Sequence, residues 1–170
     1  LSGSGTKTLG LSTTVNGTLT LAGTASLGIS TFALTYGSSA VLEYTGSGAQ
    51  ITANTEFPAS GGPNSLTINN AAGVSLNGSK TVNGTLTLTN GRLSLGNNTL
   101  TLGSGASVSG SPDASKMVVT DVNGSQTGKL CKVWGSGAFT YPIGDARGTV
   151  EYSPVTFTPT SPSGLTVCFR

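Results

Sequence analysis

Val82-Asn83-Gly84-Thr85-Leu86-Thr87-Leu88-Thr89-Asn90-Gly91-Arg92-Leu93-Ser94-Leu95-Gly96-Asn97-Asn98-Thr99-Leu100-Thr101-Leu102 carries three short apolar pairs: Leu86 with Leu88, Leu93 with Leu95, and Leu100 with Leu102. Within each pair the leucines stand two apart, with Thr87, Ser94 or Thr101 between them, which is the period of a strand with one buried face. Asn90-Gly91 and Gly96-Asn97-Asn98 separate the pairs, and both residue types accept the left-handed or tightly turned backbone of a corner. From Leu86 to Leu93 to Leu100 the step is seven residues each time, one strand plus one corner. An up-and-down meander can be written with the same letters. A coil of three such strands, stacked on the next coil, accounts better for the strictness of the step.

The stretch is half of a repeat. Thr14–Leu21 recurs as Thr81–Leu88, a shift of 67 residues from 14 to 81. Downstream, Ser26-Leu27-Gly28 answers Ser94-Leu95-Gly96, and Leu34-Thr35-Tyr36-Gly37 answers Leu100-Thr101-Leu102-Gly103. A shift of that size is three coils of roughly 22 residues, a plausible length for one turn of a three-sided solenoid. Between the copies the beat runs through Val41-Leu42, Ile51, Leu66-Thr67-Ile68 and Val74-Ser75-Leu76. On this spacing Leu66, Leu86 and Val108 stack one above another, about 4.8 Å apart between strands. Glu56–Pro63, with two prolines and two glycines, breaks the beat and reads as a longer loop leaving one corner.

At Gly110-Ser111-Pro112-Asp113 the composition changes. Met117–Thr120, Lys129–Trp134, Ala138–Tyr141, Thr149–Tyr152, Val155–Phe157 and Leu165–Phe169 carry most of the bulky residues, at a spacing of about ten that belongs to hairpins. The expected fold is therefore all-β: a parallel β-solenoid over residues 1–112, and a small antiparallel β-rich cap or sandwich over 113–170. A solenoid needs such a cap, because its last coil exposes its core and its unpaired strand edges.

Composition narrows the function classes. Charged residues make up 8%, the net charge is +2 and there is no histidine. Lys7, Lys80, Lys116, Lys129 and Lys132 are dispersed and Arg92, Arg147 and Arg170 do not cluster, so no nucleic-acid footprint is expected. No run approaches the ~20 apolar residues of a membrane-spanning helix. The chain opens at Leu1 without a methionine and stops inside a strand-like run, so it reads as an excised piece of something longer.

Few residues offer chemistry. Cys131 and Cys168 lie in the two runs that bound the last segment; a bond between them, two buried thiols and a bond to another chain are the readings open to them. With no histidine and no third cysteine, no metal set and no cofactor are expected. Most of the carboxylates (Glu43, Glu56, Asp113, Asp121, Asp145, Glu151) fall in expected loops, the solenoid strands offering only Glu43, so enzyme activity is not expected. Asp121-Val122-Asn123-Gly124 and Gly144–Gly148 faintly resemble calcium loops, but they lack repeated acidic ligands and read as turns. Tyr36, Tyr44, Trp134 and Tyr141 are the aromatics that a carbohydrate-binding surface would present, with core or corner packing as the competing reading. Thr18/Thr20, Thr85/Thr87 and Thr99/Thr101 invite comparison with the threonine arrays of ice-binding solenoids. The rungs beside Thr85/Thr87 supply Ser65/Thr67 and Ser107/Ser109, which breaks that array.

The repeat from Val82 to Leu102 resembles those of large cell-surface and secreted proteins of Bacteroidetes-type bacteria, exported by the type IX system and often called adhesins. Phe139–Asp145 followed by Tyr152–Phe157 is similar to segments that follow such repeats, while the type IX sorting domain that usually ends these proteins is absent from this chain. The resemblance implies an extracellular, cell-surface stalk, adhesin or filament subunit and supplies no catalytic residues. The expected role is thus a non-enzymatic structural or adhesive module, with homo-oligomeric or filament self-association through strand edges and surface glycans as possible partners. The C-terminal run containing Leu165, Val167 and Phe169 is the segment expected to be donated to a neighbour.

Overall fold

A computed structural model describes residues 1–160 and 164–170. The chain is all-β and winds as stacked coils. The first coil comprises β1 (Ser4–Thr8), β2 (Thr13–Val15) and β3 (Thr18–Leu21), and the second β4 (Thr24–Gly28), β5 (Leu34–Tyr36) and β6 (Val41–Tyr44). The third has β7 (Gln50–Ile51) and β8 (Ser65–Asn69), separated by a loop. Then come β9 (Val74–Ser75), β10 (Lys80–Val82) and β11 (Thr85–Asn90), followed by β12 (Leu93–Ser94), β13 (Thr99–Leu102) and β14 (Ser107–Ser109). A further coil starts with β15 (Val118–Asp121) and β16 (Lys129–Val133) and reaches β17 (Phe139–Tyr141) and β18 (Ile143–Asp145). The chain then doubles back through β19 (Glu151–Tyr152), β20 (Val155–Phe157) and β21 (Thr166–Phe169).

Three ladders run along the stack. The first, β3-β6-β8-β11-β14, is parallel throughout and aligns Leu19, Leu42, Leu66, Leu86 and Val108 as one inward column. The second, β7-β9-β12-β15-β18, is parallel and ends on antiparallel β19. The third, β10-β13-β16, is parallel and ends on antiparallel β21. At the N-terminal end β1 pairs with β4 and β2 with β5, both parallel. Leu86, Leu93 and Leu100 thus lie on three different ladders, and all three enter the same core. The 67-residue shift carries Leu19 onto Leu86 through Leu42 and Leu66, three rungs along one column.

Corners are fixed by close stacking. Gly91 has φ +78°, and a Cβ there would run into the Asn70 carbonyl oxygen of the coil beneath, so only glycine fits. The interrupted corner at 52–64 refills the core it opens. Phe57 is fully buried, and Lys80, whose alternation points it inward, donates to the Phe57 carbonyl and to Asn54 Oδ1 at 2.7 Å.

The expected division at 112/113 does not coincide with the end of parallel pairing. Val118 stacks on Leu93, Leu130 on Leu100 and Ile143 on Val118, so coiling continues to about Asp145 with aliphatic residues in the same inward positions. The hairpin spacing expected after 113 is therefore corrected for β15, β16 and β18, whose pairing to the preceding coils is parallel. Antiparallel pairing belongs to β19, β20 and β21. These strands cap the stack over an aromatic cluster in which Trp134 meets Phe157 at 5.3 Å and Tyr141 meets Phe169 at 4.7 Å between ring centroids.

Candidate functional site

β14 is the last strand of the first ladder, and among the described residues nothing pairs with its outer edge. The second and third ladders both continue beyond that level, through β15 and β16. The chain's next pass, β17, does not occupy the vacant rung; it pairs with β20, and its Phe139 and Tyr141 rings pack on each other at 4.9 Å. Between them lies a groove of about 520 Å³, lined on one side by Ser104–Val108 and on the other by Trp134, Ala138, Phe139 and Tyr152. That volume falls within the roughly 300–1,000 Å³ of ligand pockets.

Backbone polarity in the groove follows from the ladder. Ser107 N–H donates to the Gly84 carbonyl on the β11 side at 3.1 Å. In a parallel ladder alternate residues bond to opposite sides, so the N–H and C=O of Val108 face the groove. Outside, Ser107 and Thr85 share a hydroxyl hydrogen bond at 3.2 Å and Ser109 donates to Thr87 at 2.9 Å. The surface beside the groove is thus hydroxylated and nearly uncharged.

Of the four aromatics expected to contact a ligand, only Trp134 lines this groove. Trp134 is itself 3% exposed, with its indole N–H donated to the Gly137 carbonyl at 2.9 Å. Tyr141 is fully buried and donates to the Val167 carbonyl at 3.0 Å. Tyr36 and Tyr44 lie elsewhere, converging on Glu56: Tyr44 donates to Glu56 Oε1 at 2.9 Å and Tyr36 to the Glu56 carbonyl. Packing, the competing reading, accounts for these rings: Tyr44, Trp134 and Tyr141 are buried in the core and Tyr36 is half-buried, with the tyrosine hydroxyls donated to Glu56 and to backbone carbonyls.

Cys131 and Cys168 are joined by a disulfide, as register partners of β16 and β21. This settles the C-terminal run as well. Val167 and Phe169 are paired on β16 and pinned there, with Leu165 accepting from Trp134 N–H at 2.7 Å, so this segment folds back onto its own chain and is not free for donation.

The carboxylates hold two surprises. Asp121 and Asp145, expected to occupy separate turns, are register partners on β15 and β18 and share a cleft of about 440 Å³ with Arg147 and Arg170. Arg147 bridges them, with Nε 3.8 Å from Asp121 and a terminal nitrogen 3.7 Å from Asp145. Asp121 Oδ1 accepts the backbone N–H groups of Asn123, Gly124 and Gln126. These bonds, Asn123 first, with Arg147 adding, hold its carboxyl below the usual range. A carboxylate so stabilised is a poor proton donor, and here it orders the turn. Glu56, in the inserted loop, is 2% exposed; its Oε1 also accepts from Ala53 N–H at 2.5 Å, while Oε2 has no partner. Glu56 stands in the proline- and glycine-rich loop read from the sequence, and that loop folds inward and buries it.

Threonine columns are also interrupted: the rungs beside Thr20 are Glu43, Thr67, Thr87 and Ser109. Glu43 accepts the Thr20 hydroxyl at 3.1 Å.

The tyrosines make the buried environments measurable. Burial first, then the Glu56 charge, raises Tyr36 and Tyr44 well above the ordinary phenol value; burial pushes Tyr141 up to about 12 and raises Tyr152. Each folded value lies above the unfolded ~10, so the neutral phenols contribute stability that is complete below pH ~10 and is lost as pH rises toward the folded values. Lys80 and Lys132, lowered by burial, act in the opposite sense by losing their protons early in the fold. The larger tyrosine shifts decide the balance. Phenolate absorbance followed against pH is expected to show no independent titration at ~10 for the buried tyrosines, but a cooperative rise above it that coincides with loss of the β-sheet circular dichroism. A smooth, reversible titration of all four at ~10 with the sheet intact is the contrary result.

No protein family, curated protein or solved structure matches the chain. Among the described residues no helix is long and apolar enough to cross a membrane, and no cluster of three or more His, Cys, Asp or Glu is placed to hold a metal ion.

Proposed function

We propose that the chain is a non-enzymatic structural and adhesive module of an extracellular surface protein. The observation that carries this reading is one continuous apolar core shared by all three ladders, including Leu42, Leu88, Leu102 and Ile143, closed at its C-terminal end by antiparallel strands clipped through Cys131 and Cys168. Such a body transmits load along its axis, because each coil is bonded to the next through several ladders. A disulfide suits an oxidising, extracellular compartment. The hydroxyl-covered surface suits a module that stays soluble with few charges.

Immunogold labelling of intact cells that make the protein is the test. The expected result is decoration of surface or shed fibrous material before any permeabilisation. Label confined to the interior of permeabilised cells overturns the reading. Carbohydrate binding is the second reading, favoured by the presence of Trp134 and Tyr152 along the groove beside β14. The burial of Trp134 leaves it no flat ring face for a sugar, which places this reading second.

A further inference from the structure

We infer that the groove beside β14 receives one extended polypeptide segment, laid parallel to β14 as the missing rung of the first ladder. The occupant is a segment of a partner chain in which threonine or serine alternates with leucine or valine. This goes beyond the structural role above and does not depend on where the protein resides.

Three observations carry it. The first ladder stops at β14, while beyond that level the second continues through β15 and β18 and the third through β16 and β21. The vacant level is bounded by the groove, and its floor offers Val108 N–H and C=O, the bonding pair a strand needs. The ladder itself states what fits: along it, each inward residue meets an aliphatic one, Leu42 on Leu66 on Leu86 on Val108. Each flanking position below the groove carries a hydroxyl, Thr85 against Ser107 and Thr87 against Ser109. An occupant that continues the ladder therefore places an aliphatic side chain over half-buried Val108 and hydroxyls over Ser107 and Ser109. Charged occupants are disfavoured, since Lys132, the only charged side chain lining the groove among the described residues, already donates to the Gly103, Ser104 and Val133 carbonyls.

A rigid second copy does not enter here. Its first coil would bring β1 and β2 along with β3, and at this level the other two ladders are already occupied by β15 and β16. A single extended segment meets no such obstacle.

The test uses the intact, oxidised protein and a synthetic peptide with the sequence of residues 83–90. Trp134 is the only tryptophan and lines the groove, so its emission reports occupancy alongside calorimetry. The peptide is expected to bind saturably at one site, and a control peptide with both leucines replaced by aspartate is expected not to bind. Val108→Pro removes the groove-facing N–H while Ser107 and Ser109 keep the bonds to β11, and edge strands tolerate proline. It is expected to weaken binding roughly tenfold or more, the effect of one unsatisfied backbone group. Ala138→Arg, at an exposed position on the far wall, fills the groove without touching a ladder and is expected to abolish binding, which keeps the test decisive if the proline variant melts early. Absence of peptide binding at millimolar concentration, binding indifferent to both substitutions, or a Trp134 response to oligosaccharides in place of the peptide would each overturn the inference.

Discussion

Leu86→Ala is expected to lower the unfolding free energy by about 2–5 kcal/mol, and Leu86→Asp to prevent folding at ambient temperature. Leu86 has no exposed surface and sits between Leu66 and Val108 in the column, so truncation leaves a void closed on both sides by neighbouring rungs. A carboxylate in its place would lie unpaired in an apolar interior. The comparison along the column is the sharper test. Leu19 occupies the same position on the terminal strand β3 and is only partly buried, so Leu19→Ala is expected to cost less than half as much. Thr87, pointing outward from the same strand, loses one surface hydroxyl contact with Ser109, and Thr87→Ala is expected to cost less than about 1 kcal/mol. Urea unfolding of the three alanine variants measures the gradient. Equal losses at Leu19 and Leu86 would show that stability is not carried by rungs stacked on rungs.

The coils between Leu66 and Leu102 were legible because one amino-acid type recurs at one step. The spacings of 20 and 22 residues that align Leu66, Leu86 and Val108 are the observed register. Beyond Leu102 the same inward positions recur after longer steps, Leu93 to Val118 to Ile143 and Leu100 to Leu130, and on the first of these lines valine and isoleucine replace leucine. Longer corners such as Val122–Gly128 hide the beat without ending the ladder, which is why the cap was expected to begin too early. Lys80 shows a different limit. Its alternation with Val82 puts both on one face, but a lysine suggests solvent until the loop carbonyl that receives it is known. Asp121 and Asp145 are 24 residues apart and become neighbours only because their coils stack. The groove beside β14 has no sequence signal of its own. It exists because β17 pairs with β20 and leaves a rung vacant, a choice between two partners that local periodicity does not encode.

Replacing Cys131 and Cys168 together with serine is expected to separate the melting of the cap from that of the coils. The bond spans 37 residues, and loop-closure entropy assigns such a crosslink about 3–4 kcal/mol. In a solenoid that loss is not shared evenly, because each coil contacts only its neighbours. β21 is the strand released: it covers the outer edge of β16, and through Phe169 and the Val167 carbonyl it holds Tyr141 in the aromatic cluster. Trp134 loses with it the bond from its N–H to the Leu165 carbonyl. Trp134 emission is therefore expected to shift to the red at a lower urea concentration than the loss of far-ultraviolet circular dichroism, which reports chiefly the coils from β3 to β14. In the disulfide-bonded protein the two signals are expected to change together. Coincident transitions in the serine variant, unmoved from the parent, would mean that the antiparallel strands hold the stack closed by packing alone, and that the crosslink constrains nothing the aromatic cluster does not already secure.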